Sequence, residues 1–139
     1  MVRVKNLENS LHFYVDILEL VEIRRKENKR GKYTLVFLGT DKLNECLELT
    51  YHWNNGGSYS VGRNFGHLSF TVENIYGFCE KLLKNGVKLI RPPKDGHIAF
   101  FKSPDSIPIE IVQEGKSLPA QEPWLSMTND PQEMPSVQR

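Results

Sequence analysis

The stretch Gly66-His67-Leu68-Ser69-Phe70-Thr71-Val72-Glu73-Asn74-Ile75 decides the fold, because its end repeats an earlier part of the chain. Laying Val4-Lys5-Asn6-Leu7 over Val72-Glu73-Asn74-Ile75 brings Leu11, Tyr14 and Val15 onto Cys79, Leu82 and Leu83. A strand that runs into an Asn-capped helix is therefore written twice. In the first copy the strand is short, residues 1–5, and its helix carries Leu7, Leu11, Tyr14, Val15 and Leu18 at helical spacing. Strands at Leu20–Lys26, Tyr33–Leu38 and Glu45–Tyr51 follow, the first two joined by the turn Asn28-Lys-Arg-Gly31. Trp53-Asn-Asn-Gly-Gly-Ser58 separates the copies by composition.

The second copy keeps the order. A strand at His67–Val72 leads to Asn74 and a helix bearing Ile75, Cys79, Leu82 and Leu83, stopped by Gly86. Strands near Lys88–Arg91, His97–Lys102 and Pro108–Gln113 complete it. The expected fold is α+β: two βαβββ modules with curved mixed sheets, residues 1–53 and 66–113 of a domain spanning 1–113, the first strand truncated. Residues 114–139, interrupted by Pro119, Pro123, Pro131 and Pro135, read as an irregular tail. Its segment Leu118 to Met127 is apolar enough to dock on a surface.

The 139 residues suffice for a buried core, and 39% hydrophobic with 25% charged residues is ordinary for a globular domain. A net charge of +1 lacks the concentrated basic face that nucleic acid requires. The run Arg24-Arg25-Lys26 to Lys29-Arg30, broken by Glu27, reads as a solvated hairpin. Cys46 and Cys79 lie in apolar-periodic segments without a CxxC spacing, so both are expected to be buried in a reduced, cytoplasmic protein. No apolar run reaches the length of about 18 residues that a membrane span needs.

Alternation along the strands sorts the polar residues onto one face of each module. His67, Ser69 and Thr71 point opposite to Leu68, Phe70 and Val72; Glu110 opposes Ile107, Ile109 and Ile111; Cys46, Glu48 and Thr50 oppose Leu47, Leu49 and Tyr51. A lone strand Glu ordinarily faces solvent, and a lone His is ordinarily a satisfied hydrogen-bonding residue. Here a His on a first strand and a Glu on each last strand stand at matching points of a repeat, and an ionised carboxylate between branched apolar neighbours is costly unless solvated, paired or coordinated. Glu48, His67 and Glu110 are thus candidate ligands of a divalent metal. A fourth group, opposite His67 in the first copy, would stand before Met1.

Met1-Val-Arg-Val, Ser10-Leu-His-Phe-Tyr14, Lys32-Tyr-Thr-Leu-Val-Phe-Leu38, Leu47-Glu-Leu-Thr-Tyr51, Phe65-Gly-His-Leu68, Ser103-Pro-Asp105 and Ile109-Glu-Ile111 together resemble lactoylglutathione lyase (glyoxalase I) of the vicinal oxygen chelate superfamily, in its compact bacterial form. The resemblance covers about residues 1–113. It implies Glu48, His67 and Glu110 as metal ligands, with Glu110 and Glu48 catalytic and Glu110 the proton-shuttling base. It places Arg3, Arg63 and Arg91 where relatives hold the carboxylates of glutathione, a task suited to the planar guanidinium fork. His52 stands where an Asn is usual, and Pro-Asp105-Ser106 replaces Pro-Asp-Gly.

The implied reaction isomerises the hemithioacetal of methylglyoxal and glutathione to S-lactoylglutathione beside Ni²⁺, Zn²⁺ or Co²⁺, the compact form leaning to nickel. The implied assembly is a homodimer with shared sites. The family's remaining ligand, a His or Gln, would precede Met1. The expectation is that the natural protein begins further upstream, the alternative being an impaired site. The chain as written should hold metal weakly, and a short His-containing extension should restore affinity. His97 is read as a loop or strand-start residue.

The rival reading is a metal-free protein of the same fold that binds a drug or antibiotic. Ring-cleaving dioxygenases or epimerases on this scaffold would ask for two histidines and one carboxylate, the reverse of this set.

Overall fold

The computed structural model describes residues 1–130. It resolves into two compact units, with the boundary between Ser60 and Val61. Each unit is a four-stranded mixed sheet with one helical segment, the α+β arrangement expected.

In the first unit the strands are β1 (Val2–Arg3), β2 (Val21–Asn28), β3 (Tyr33–Gly39) and β4 (Glu45–His52). Their order in the sheet is β1-β4-β3-β2, with β1 parallel to β4 and the other pairs antiparallel. Between β1 and β2 runs α1 (Leu7–Leu11), capped by Asn6, whose side chain accepts from the Asn9 backbone N–H. α1 passes into π-helical turns at His12–Ile17, where the Leu18 N–H reaches back to the Phe13 carbonyl. That widening turns the buried stripe away from uniform 3.6-residue spacing. Ser10, Phe13, Tyr14, Ile17 and Leu18 are buried, while Leu7, Leu11 and Val15 are only half-buried. The helix is present as expected, but three of its five expected core positions are not the core.

The second unit contains β5 (Leu68–Val72), β6 (Leu89–Arg91), β7 (Ile98–Lys102) and β8 (Pro108–Gln113), ordered β5-β8-β7-β6, with β5 parallel to β8. The connecting helix α2 (Ile75–Lys84) is capped by Asn74 and packs on β6, β7 and β8. It buries Ile75, Tyr76, Cys79 and Leu82, whereas Leu83 is 42% exposed, so that expected core position is also corrected. Gly86 ends α2 at φ +76°, a left-handed conformation in which the Val87 N–H closes on the Leu82 carbonyl.

The two cysteines part company. Cys79 is fully buried, and burial pushes its thiol up to about 12. Cys46 is exposed on β4, against expectation, because its side of that strand is the one opposite Leu47 and Leu49.

Between β8 and Asp130 the chain is irregular except for a 3₁₀ turn at Trp124–Ser126. It lies against its own unit. The Leu118 N–H bonds the Gly96 carbonyl, the Tyr76 hydroxyl donates to the Pro119 carbonyl at 2.7 Å, and Trp124, 1% exposed, stacks on Tyr76 at 6.0 Å. Pro131 and Pro135, part of the expected tail, lie outside the described residues. No helix among the described residues is long and apolar enough to cross a membrane.

Candidate active site

The carboxylate on β8 is built in by register. Glu110 pairs across the sheet with Ser69 on β5 and with Phe100 on β7, so all three side chains share one face of the second sheet. The opposite face carries Ile109, Ile111, Ala99 and Phe101, each fully buried. Strand alternation thus forces Glu110 away from the helix-covered face, yet its side chain remains only 4% exposed. Ser69 Oγ donates to Glu110 Oε1 at 3.0 Å. His67 Nε2 lies 3.7 Å from the same oxygen. The imidazole meets the Phe100 ring edge to face at 5.4 Å, so one aromatic side chain sits beside both groups of the pair.

On the first sheet Glu48 occupies the corresponding place. It pairs with Phe37 on β3, is half-buried, and accepts from Thr50 Oγ1 at 3.1 Å through Oε2. Phe37 in turn pairs with Arg24 on β2, whose guanidinium lies 3.6 Å above the Phe37 ring centroid. Arg24 also forks onto Glu45, with Nε to Oε1 at 2.5 Å and Nη2 to Oε2 at 3.2 Å. That bidentate bond raises the guanidinium and lowers the Glu45 carboxyl from their ordinary values. The second sheet repeats the row, since Arg91 pairs with Phe100 and Phe100 with Glu110. A shift of register immediately precedes each arginine, between Glu22 and Arg24 and between Leu89 and Arg91. The irregularity aims each arginine onto the face of the carboxylate.

Arg24, in the stretch read as a solvated hairpin, is exposed there with 53% of its side chain accessible, and it heads this cross-strand row. The offset that fits the helices places Arg24 opposite Pro92, one residue past Arg91, because the stretch from helix cap to this strand is one residue longer in the first copy.

The other expected site residues fall in three places. Arg91 lies at the end of β6 with Nη2 3.3 Å from Asp95 Oδ2. Burial tends to raise the Asp95 carboxyl, but the Ile98 and His97 N–H groups, together with Arg91, outweigh it and hold the carboxyl below its usual value. Arg63 is exposed on the segment before β5. Arg3 and His52 line a cavity of about 420 Å³ within the first unit. His97 immediately precedes β7, its Nδ1 buried without a hydrogen-bond partner.

Two of the three expected metal ligands, His67 and Glu110, are therefore neighbours in the second unit, while Glu48 belongs to the first. Among the described residues no three His, Cys, Asp or Glu side chains are gathered as one cluster. The donors fit a divalent ion in kind, imidazole nitrogen with carboxylate oxygen. They also fit in spacing, since one ion with bonds of about 2.1 Å spans donors up to about 4.2 Å apart and this pair is separated by 3.7 Å.

The chain resembles known proteins over most of its length. The family model for the glyoxalase/bleomycin resistance protein/dioxygenase superfamily matches residues 1–111. A probable lactoylglutathione lyase of Synechocystis sp. is 41% identical over 120 residues, covering 81% of this chain and 91% of its relative. A lactoylglutathione lyase of Neisseria meningitidis is 38% identical over 123 residues, covering 82% and 87% respectively. Among solved structures, the trypanothione-dependent glyoxalase I of Leishmania major superposes with a TM-score of 0.77 at 33% identity, covering 82% of this chain and 83% of its own.

Proposed function

The chain belongs to the glyoxalase/bleomycin resistance protein/dioxygenase superfamily, and from that premise we propose that it is a lactoylglutathione lyase, converting the hemithioacetal of methylglyoxal and glutathione to S-lactoylglutathione. The observation that carries this reading is the buried Glu110 carboxylate beside the His67 imidazole, set on a polar sheet face in a chain whose relatives at 38–41% identity are named for that reaction.

The isomerisation moves one proton between adjacent carbons and one between the oxygens they bear, and it needs no external oxidant or reductant. Glu110 takes the proton from the carbon that bears the hydroxyl and the sulfur, and returns it to the neighbouring carbon that began as the carbonyl. A carboxylate suits both halves because the same oxygen accepts and then donates. Ser69 holds Oε1 from one side, which fixes the carboxylate plane. Burial keeps bulk water from exchanging with the proton in transit.

His67 and Glu110 would hold a divalent ion, with Glu48 completing the donor set across a homodimer. Nickel is the ion we favour, with zinc and cobalt as alternatives. When bound, the ion would supply Lewis-acid polarisation of the substrate oxygens and so acidify the carbon from which Glu110 takes its proton. Arg3, His52, Arg63 and Arg91 are proposed to receive the polar ends of glutathione.

The test is direct. The purified chain, supplied in turn with Ni²⁺, Co²⁺ and Zn²⁺, is mixed with methylglyoxal and glutathione, and thioester absorbance is followed. Ion-dependent turnover is expected. Absence of turnover with every ion, from a folded chain, would end the proposal.

A further inference from the structure

The segment after β8 grips the part of the second sheet that carries Arg91. Leu89 pairs with Phe101 and Arg91 with Phe100, so Ile90 is the extra residue of a bulge on the edge strand β6. Its carbonyl accepts from the Asp130 N–H at 2.9 Å, and the Lys88 ammonium pairs with the Asp130 carboxylate. At the far end of the loop that follows, the Gly96 carbonyl accepts from the Leu118 N–H at 2.9 Å. Gly96 lies at φ +67°, and a Cβ there would stand 2.1 Å from the Leu118 carbonyl oxygen, so only glycine lets the two backbones meet.

Between these two grips the loop is tightly bonded. Pro92 and Pro93 are buried. Asp95 Oδ1 accepts from the His97 and Ile98 N–H groups at 2.9 and 3.1 Å, and Oδ2 accepts from Arg91 Nη2 at 3.3 Å. The gripping segment is itself anchored on α2, by the Tyr76 hydroxyl to Pro119 and by the Trp124 ring lying within 5° of parallel to Tyr76. A bulge re-aims the side chain beside it, and here it sets Arg91 on the face that bears Phe100 and Glu110. A segment outside both βαβββ modules thus holds the irregularity that directs this arginine.

We propose that residues 118–130 form a strap that positions Arg91. By holding the Ile90 bulge and the Gly96 turn, it presents the guanidinium already ordered to the anionic end of the substrate, so less freedom is lost on binding. The strap therefore governs substrate affinity more than the proton transfer at Glu110. The identity of the substrate rests on the lactoylglutathione lyase reading. The hold on the loop rests on the strap's own bonds.

The experiment uses Asp130→Pro, which removes the N–H that bonds Ile90, and Asp130→Ala, which keeps it. Tyr76→Phe removes the hydroxyl bond to Pro119 and leaves the ring stack. Hydrogen exchange of residues 89–98, read by mass spectrometry, should quicken in Asp130→Pro and Tyr76→Phe. Affinity for S-methylglutathione, which cannot react, should fall roughly two- to tenfold in Asp130→Pro, the worth of one hydrogen bond. Asp130→Ala should bind nearly as the unmodified chain does, because Lys88 is largely exposed and its ion pair adds little. In an Arg91→Gln background Asp130→Pro should cost nothing further, a coupling that a merely structural strap would not show. Unchanged exchange, or the same loss of affinity with and without Arg91, would overturn the proposal. So would quickened exchange with unaltered affinity, or no binding of S-methylglutathione by the unmodified chain, even if thioester formation is observed. An Arg91-dependent loss of affinity, in a chain that forms no thioester, would uphold the strap while removing the lyase reading.

Discussion

The two units carry the same cross-strand row in different surroundings. In the first, Arg24, Phe37 and Glu48 cross three strands, and the carboxylate is half-buried with a threonine hydroxyl for company. In the second, Arg91, Phe100 and Glu110 do the same, but the carboxylate is 4% exposed, bonded by Ser69 and faced by His67. One scaffold repeated twice has thus produced a solvated carboxylate suited to coordination and a secluded one suited to holding a proton. The difference comes from neighbours, since backbone register is alike in the two.

The largest expected effect separates these roles. Glu110→Gln should reduce turnover by about 10² to 10⁴, the range of general acid–base contributions, and excess metal should not restore it. Glu48→Gln should cost less, and part of its loss should return when metal is raised. Equal and unrescued losses in thioester assays of both variants would break the comparison.

The aromatic centres of the rows should differ in stability. Phe100 is 5% exposed, so Phe100→Ala should lower unfolding free energy by about 3 to 5 kcal/mol. Phe37 is half-buried, and Phe37→Ala should cost only about 1 to 2 kcal/mol. Denaturant melts of the two variants measure this directly.

The cysteines give a chemical contrast of the same kind. Iodoacetamide should label Cys46 in the native protein and reach Cys79 only after unfolding, because burial both shields that thiol and pushes it up to about 12. Peptide mapping of the alkylated protein reads the order. Native-state labelling of Cys79 at the rate of Cys46 would contradict the packing of α2.

The smallest effect lies in the turn before β8. Ser106 sits at φ +64°, stabilised by a turn bond to Ser103. Relief of a left-handed conformation worth about 1 to 2 kcal/mol, less the chain entropy of glycine at about 0.5 to 1 kcal/mol, predicts that Ser106→Gly stabilises by up to about 1.5 kcal/mol. A thermal melt decides the sign.

The repeat was legible because both helices begin at asparagine caps and both last strands carry a Glu flanked by apolar residues, signals that depend only on local spacing. Both caps form as read, accepting from Asn9 and from Gly77. The burial of α1 was not legible, since the π-helical turns at His12–Ile17 change the spacing midway and composition does not mark them. Cys46 is exposed, against expectation, because an apolar residue type does not fix burial and its strand parity, shared with Glu48, sets it outside the core. Of the site, the polar faces followed from alternation, and the closeness of His67 to Glu110 follows from β5 lying parallel beside β8. The Arg24 row could not be read from the chain, since it depends on which strands neighbour one another.

The most direct measurement is a Co²⁺ titration followed by visible absorption, comparing the unmodified chain with His67→Ala. If His67 and Glu110 are ligands to one ion, the variant should bind Co²⁺ roughly tenfold or more weakly and its absorption bands should shift. Identical affinity and identical spectra for the two proteins would contradict the claim that this pair forms part of a metal site.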